Sequence, residues 1–398
     1  MLDAITRAVD RRIEDLCDLT TRLVRERSLL GEEEGAQRLV DDRLRRLGFD
    51  VKRIEPDASE AIRDPHAGLP IVPYAGRTCV AGRLRGSGGG RSLHLSGHVD
   101  VVPVDGEERW THDPWGGEIS GGRIWGRGAG DMKAGVAAYL VGVEALLEAG
   151  GELGGDLLFT SVIEEESGGN GMRAVLGAGY DGDGTLIGEP TDLRVHHSGV
   201  GVIWARLSAR SEGAHAAVAD PTGAPIDRIF RAVLALRALE QALNGDDPAH
   251  PYNLNLGEIH GGVWPSSVPA EVTLRARLGF GPQLEPEDAQ RLFRDAVEQE
   301  SPGVEVQFEG FRAHAYHHDL GNPFIELVDG CHTAVQGRSD PPGRKLSTAT
   351  TDARYVPGPC CCYGPSAGSI HGIDEWVDIA STRDTAVTVA LIASRWCG

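Results

Sequence analysis

Five short motifs carry imidazole and carboxylate side chains of the kind that hold metal: Ser-Gly-His98-Val-Asp100, Gly-Ala-Gly-Asp131-Met-Lys, Glu165-Glu166-Ser-Gly-Gly, Gly-Glu189-Pro-Thr and Ile-His371-Gly-Ile-Asp-Glu. Two imidazoles with three carboxylates are the donor mixture expected for two zinc-like ions that share one bridging carboxylate. Such a pair ionises a water at neutral pH and polarises the carbonyl that the water attacks. Asp100, two residues beyond His98, is placed to hold the imidazole in its metal-binding tautomer. Glu165 and Glu166 are neighbours at a strand end, so their side chains diverge. One is free to bind metal and the other to act as general base. The pattern points to a metal-dependent hydrolase.

The elements that must position these groups alternate between short apolar runs and helical patterns, the signature of an α/β sheet. Residues 78–84, 92–95, 156–163 and 185–187 read as strands, and the last two deliver Glu165, Glu166 and Glu189 at their carboxyl ends. Asp131 lies in a glycine-dense loop before a helix over 134–149, which stops at Gly150-Gly151. Near Thr191 the texture changes. Strands at 200–209, 252–260, 271–278 and 304–308 interleave with helices at 226–243 and 286–298, the order of a four-stranded α+β unit inserted in the larger one. Metal motifs flank this insertion. The expected division is therefore a catalytic domain over 1–191 and 315–398, interrupted by an inserted domain over 192–314, with hinges near Thr191 and Ala313.

Bulk properties narrow the partners. With 398 residues the chain exceeds a single core. Its formal charge of −20 disfavours nucleic acid and anionic membranes. No segment approaches the roughly 20 apolar residues that span a bilayer. Residues 1–27 read as an amphipathic helix without the apolar core of a signal peptide. Seven cysteines are too few and too scattered for a disulfide framework, and Cys360-Cys361-Cys362 reads as a buried strand. A cytoplasmic protein is the expectation.

Taken together, the motifs make the chain similar to the co-catalytic zinc amidohydrolases and peptidases that include acetylornithine deacetylase, succinyl-diaminopimelate desuccinylase, aminoacylase and glutamate carboxypeptidase. The likeness runs from the N-terminal helix to Trp376 and includes Trp110-Thr-His-Asp-Pro-Trp-Gly-Gly and Asp352-Ala-Arg-Tyr. It implies a zinc-peptidase-like α/β catalytic domain with a mixed central sheet, and a ferredoxin-like inserted domain that serves as lid and dimerisation unit. It implies that Asp131 bridges two divalent ions, zinc before cobalt or manganese. His98 and Glu189 would complete one site, and Glu166 and His371 the other. Glu165 would be the base, Asp100 the orienter of His98, and the Asp131–Met132 peptide cis. His215, in Ser-Glu-Gly-Ala-His215, would stabilise the oxyanion of a partner subunit's intermediate in a homodimer. His314, His317 and His318 match no family position and are expected to be structural or solvent-facing.

The chain departs from this family at the acid-binding end. Where relatives that act on carboxylates carry asparagine and arginine, this chain has Ser266 and Gly279. Arg275, Arg277 and Arg354 are the alternative cations, and strand alternation puts Arg275 and Arg277 on the face of Gly279. Ser266, Arg277, Asp352 and Arg354 are the expected substrate contacts. The implied activity is hydrolysis of an N-acylated small molecule by attack of a water shared between the metals. The alternatives are deformylation of an N-formyl aminopyrimidine as in thiamine salvage, a dipeptidase or carboxypeptidase activity, and a non-catalytic metal-binding homologue.

Overall fold

A computed structural model describes residues 1–218, 223–246, 252–338, 340–345 and 348–398. Its centre is an eight-stranded mixed sheet in the order Asp50–Ile54, Cys79–Leu84, Leu157–Val162, Leu93–His98, Gly184–Ile187, Cys360–Cys362, Val195–His196 and Arg344–Lys345. The strands Leu157–Val162, Leu93–His98, Gly184–Ile187 and Cys360–Cys362 run parallel, and their side chains are buried on both faces. Continuous apolar runs in the sequence reflect that double burial. The triple cysteine is one of these strands.

The helix Ala134–Glu148 is apolar nearly all round because the sheet covers one side and the helix Ile379–Trp396 the other. Glycines set the spacing. A Cβ at Gly142 would stand 2.6 Å from the carbonyl oxygen of Ala386, and one at Gly135 only 1.9 Å from that of Gly188. The N-terminus is two helices, Leu2–Asp10 and Ile13–Arg25, rather than one. Both bury one face on this layer.

The inserted α+β unit has an antiparallel sheet in the order Asn253–Gly261, Glu271–Phe280, Gly201–Arg210 and Glu305–Ala313. The helices Pro225–Asn244 and Pro286–Glu300 pack on one face around Ile203, Leu207, Ile229, Leu274, Leu278 and Phe293. This is the ferredoxin-like arrangement. The strand alternation leaves Val202, Trp204, Arg275, Arg277 and Phe311 on the opposite face, which looks onto the catalytic body. A short ladder between Ser198–Gly199 and Tyr316–His317 joins the two crossing chains.

Candidate active site and metal centre

Parallel strand ends gather the candidate ligands. His98 closes its strand opposite Val162, Glu165 and Glu166 follow Val162 after a short turn, and Glu189 follows Ile187. Asp131 enters from the loosely wound turn Ala129–Lys133, with a cis peptide to Met132. His371 arrives on a loop in left-handed backbone (φ 61°) after the sheet is complete.

The side chains meet. Asp131 Oδ1 lies 3.1 Å from His98 Nε2, and Asp131 Oδ2 lies 3.5 Å from His371 Nε2. Glu166 Oε1 is 3.0 Å from the same His371 nitrogen. Donor atoms of His98, Asp131 and Glu166 all fall within 4.8 Å of one another. Glu189 is buried beside them, close enough to act on the charge of His98 and Asp131.

The electrostatics call for cations. Burial would depress the His98 imidazole, yet its bond to Asp131 and the nearby Asp100 and Glu189 carboxylates raise it well above the ordinary histidine range. Glu166 raises His371 to about 11, with further help from Asp131. Burial raises Glu189 and Glu165 well above the usual carboxylate range, and Asp100 to about 7. A packed group of carboxylates that pulls protons onto both imidazoles is one that divalent ions would neutralise. Each oxygen of Asp131 faces a different imidazole, so a pair of ions bridged by Asp131 fits these residues.

Glu165 differs from its neighbour. It is buried, and among the described residues its Oε1 meets no hydrogen-bond donor. The nearest cation is Arg354, with Nη1 at 3.8 Å. Asp100 is adjacent to His98, but through other atoms than expected. The His98 Nδ1 faces the main-chain carbonyl of Asp100 at 3.0 Å, whereas the Asp100 carboxylate lies 3.7 Å away. That carboxylate instead accepts the main-chain N–H groups of Glu165 (3.2 Å) and Glu166 (3.0 Å).

The expected substrate contacts divide. Arg277 lines a cavity of about 290 Å³ that also touches Glu165, Glu166 and His371. Asp352 and Arg354 do not line it. They lie beneath it, 1% and 5% exposed, because Arg354 donates to the carbonyls of Gly168 and Thr351 and is covered by Tyr355 and Phe311. Ser266 is exposed beside the short antiparallel ladder where His215 pairs with Ser267, and neither Ser266 nor His215 lines the cavity. His317 packs edge-on against His197 at the inter-unit ladder, and His318 bonds the Ala353 carbonyl.

Two further carboxylates hold the loops of the site, and no local spacing marks them. Glu375 accepts the N–H of Gly130 (3.0 Å) and of Asp131 (3.1 Å), and its other oxygen pairs with Arg127 at 2.5 Å. Asp374 accepts the N–H of Thr111 at 2.8 Å and of His112 at 3.2 Å. The acidic end of the Ile-His371-Gly-Ile-Asp-Glu motif thus ties the His371 loop both to Asp131 and to the Trp110-Thr-His motif. The motif was visible in the sequence, but its long-range targets were not.

An α/β body that collects imidazoles and carboxylates at its strand ends, under a ferredoxin-like lid, is the plan of a metal-dependent amidohydrolase. The signature of peptidase family M20/M25/M40 matches residues 94–395, and the chain belongs to that family. It is 32% identical over 327 residues to succinyl-diaminopimelate desuccinylase of Rhodospirillum centenum, covering 77% of this chain and 82% of that protein. The enzyme of that name from Thioalkalivibrio sulfidiphilus is 27% identical, covering 92% and 95%. Among solved structures, the di-peptidase Dug1p from Saccharomyces cerevisiae shares the fold with a TM-score of 0.82 at 15% identity, covering 100% of this chain and 98% of that one. A Bacillus subtilis protein described as a dinuclear metal binding peptidase of this family gives a TM-score of 0.59 at 14% identity, covering 98% and 99%.

Proposed function

We infer that this protein is a metal-dependent N-deacylase that hydrolyses the amide bond of a small N-acylated substrate at a pair of divalent ions. The observation that carries this reading is Asp131, whose two oxygens face His98 on one side and His371 on the other. His98, Asp131 and Glu189 would hold one ion, and Asp131, Glu166 and His371 the second. The mixed nitrogen and oxygen set favours zinc, with cobalt or manganese as substitutes. When bound, such ions supply Lewis acidity and lower the pKa of a water at the site.

The chain's own groups do the rest. Glu165 takes the proton from the attacking water and delivers it to the leaving nitrogen. Its burial supports this role, because desolvation holds the carboxyl well above its usual range and so favours proton uptake and return. Asp100 fixes the loop that carries Glu165. Arg354, below the cavity, offsets the charge of Glu165 and Asp352.

The proposal extends to a homodimer formed through the inserted unit, with boundaries at 192 and 314. Phe230 and Leu234 stand 57% and 70% exposed one helical turn apart on Pro225–Asn244. The strand Asn253–Gly261 is an open sheet edge followed by exposed Val263 and Trp264. A second copy would cover these groups and bring His215 to its neighbour's cavity as an oxyanion donor. Residence in the cytoplasm is part of the same proposal and accords with seven free cysteines.

A panel of N-acetyl, N-succinyl and N-formyl amines tests the reaction class. Hydrolysis of at least one, abolished by chelator and restored by zinc, cobalt or manganese, is expected. Chelator-insensitive hydrolysis, or none across the panel, contradicts the reading.

A further inference from the structure

Residues 64–77 bridge the catalytic body and the inserted unit, and two successive residues in this segment hold different partners. Gly68 exchanges two hydrogen bonds with the side chain of Asn170: its N–H donates to Oδ1 at 3.1 Å, and its carbonyl accepts from Nδ2 at 2.9 Å. Leu69 exchanges two main-chain bonds, at 2.7 and 3.1 Å, with Gly310 of the strand Glu305–Ala313. Arg312 grips the same segment from the inserted unit. It donates from Nε to the Ala67 carbonyl at 2.9 Å and from Nη2 to that of Ala61 at 3.2 Å.

Asn170 follows the turn that carries Glu165 and Glu166. The Glu164 carbonyl closes that turn by accepting the N–H groups of Gly168 at 3.0 Å and Gly169 at 2.6 Å. Asn170 is 3% exposed, and a third bond runs from its Nδ2 to the Tyr74 hydroxyl at 2.7 Å. Among the described residues its side-chain amide therefore bonds only the bridging segment.

The backbones close in with no side chain between them. A Cβ at Gly68 would stand 2.6 Å from the Gly168 carbonyl oxygen, and one at Gly310 would stand 2.9 Å from that of Ser167. The strand Glu305–Ala313 breaks its register here, since Ile203 pairs with Arg312 but Trp204 with Glu309. Gly310, in left-handed backbone (φ 61°), makes the bulge from which Phe311 reaches the cavity.

We propose that Asn170 is a positioning residue for Glu165: through Gly68 and Leu69 it ties the glutamate turn to the edge strand of the inserted unit, so that the seating of this unit over the cavity sets the aim of Glu165. This role rests on the N-deacylase reading and adds to it a mechanical link between the two units. A shift of Gly310 must carry Leu69 with it or break two main-chain bonds. A shift of Gly68 must carry Asn170 or leave buried polar groups without partners. Misplacing a reacting group by about 1 Å is enough to slow turnover by about a hundredfold.

Asn170→Ala and Arg312→Met loosen the link from opposite ends, and only the first lies beside the glutamate turn. Turnover is read on zinc-loaded protein with whichever N-acetyl, N-succinyl or N-formyl amine the wild type hydrolyses. Asn170→Ala should lower kcat about 10- to 100-fold, with KM within about threefold of wild type and zinc content unchanged. Arg312→Met should lower kcat in the same direction. The double variant should be no more than about threefold slower than Asn170→Ala alone, because both changes break one linkage. Hydrogen exchange needs no substrate: Arg312→Met should speed exchange of the amides of residues 165–170 as well as those of 67–69. If wild type hydrolyses nothing, the deacylase reading fails while the exchange measurement still judges the link. If Asn170→Ala does not fold, exchange in Arg312→Met decides alone. Unchanged kcat in Asn170→Ala, losses that multiply in the double variant, or unchanged exchange at 165–170 in Arg312→Met overturns the proposal.

Discussion

The carboxylate of Asp100 accepts the main-chain N–H of Glu165 at 3.2 Å, so the residue beside the first imidazole also fixes the segment that carries Glu165, the proposed base. Its second oxygen holds the N–H of Glu166 at 3.0 Å. An amide at this position would keep one acceptor and turn an NH2 group toward the other N–H. Asp100→Asn should therefore lower kcat by about 10- to 100-fold and loosen metal binding, as supporting groups around metal sites usually do. Steady-state kinetics with metal analysis checks this. Wild-type kcat at full metal content would show that the loop needs no such hold.

The start of the helix Ala134–Glu148 touches the carbonyl of Gly188, the residue before Glu189, and leaves no room for a side chain at Gly135. This contact aligns two candidate ligands, Asp131 and Glu189, that arrive from different elements. Gly135→Ala should force the helix away, destabilise the protein by about 1–3 kcal/mol and weaken metal retention against a chelator. Chelator titration and thermal melting measure both effects. Metal retention equal to wild type would mean that Glu189 is positioned independently.

His94 is buried within the strand Leu93–His98, with its Nε2 2.7 Å from Thr160 Oγ1. Burial pushes its pKa down to about 3, against roughly 6.5 in an unfolded chain. Between those values the unfolded state binds the extra proton, so this contribution to stability is present above about pH 6.5 and is lost as pH falls toward 3. Metal-free wild type should lose up to about 1.4 kcal/mol more per pH unit than metal-free His94→Gln in that window. Parallel acid-dependence curves for the two proteins would exclude it.

The sheet and the metal-binding motifs were legible because each is written locally. Apolar runs give buried strands, a glycine-dense loop gives the Asp131 turn, and paired glutamates after a strand give two side chains that diverge, Glu166 toward His371 and Glu165 into a buried position. Depth and long-range closure were not legible. Asp352 and Arg354 look like substrate contacts by type, and only the packing of Arg354 under Phe311 and Tyr355 shows that the pair is buried away from the cavity. The reach of Glu375 to the Asp131 N–H spans more than half the chain, and no spacing rule predicts it. The spacing of Asp100 from His98 points its carboxylate at the imidazole, whereas its carbonyl faces that ring and its carboxylate faces the glutamate loop.

Glu165→Gln tests the central claim most directly, measured as turnover and bound metal on the same preparation. The substitution keeps size and removes only the ability to take a proton. Two divalent ions per chain with turnover reduced by at least about a hundredfold is the predicted result. Near-wild-type turnover at full metal content would contradict the role given to Glu165.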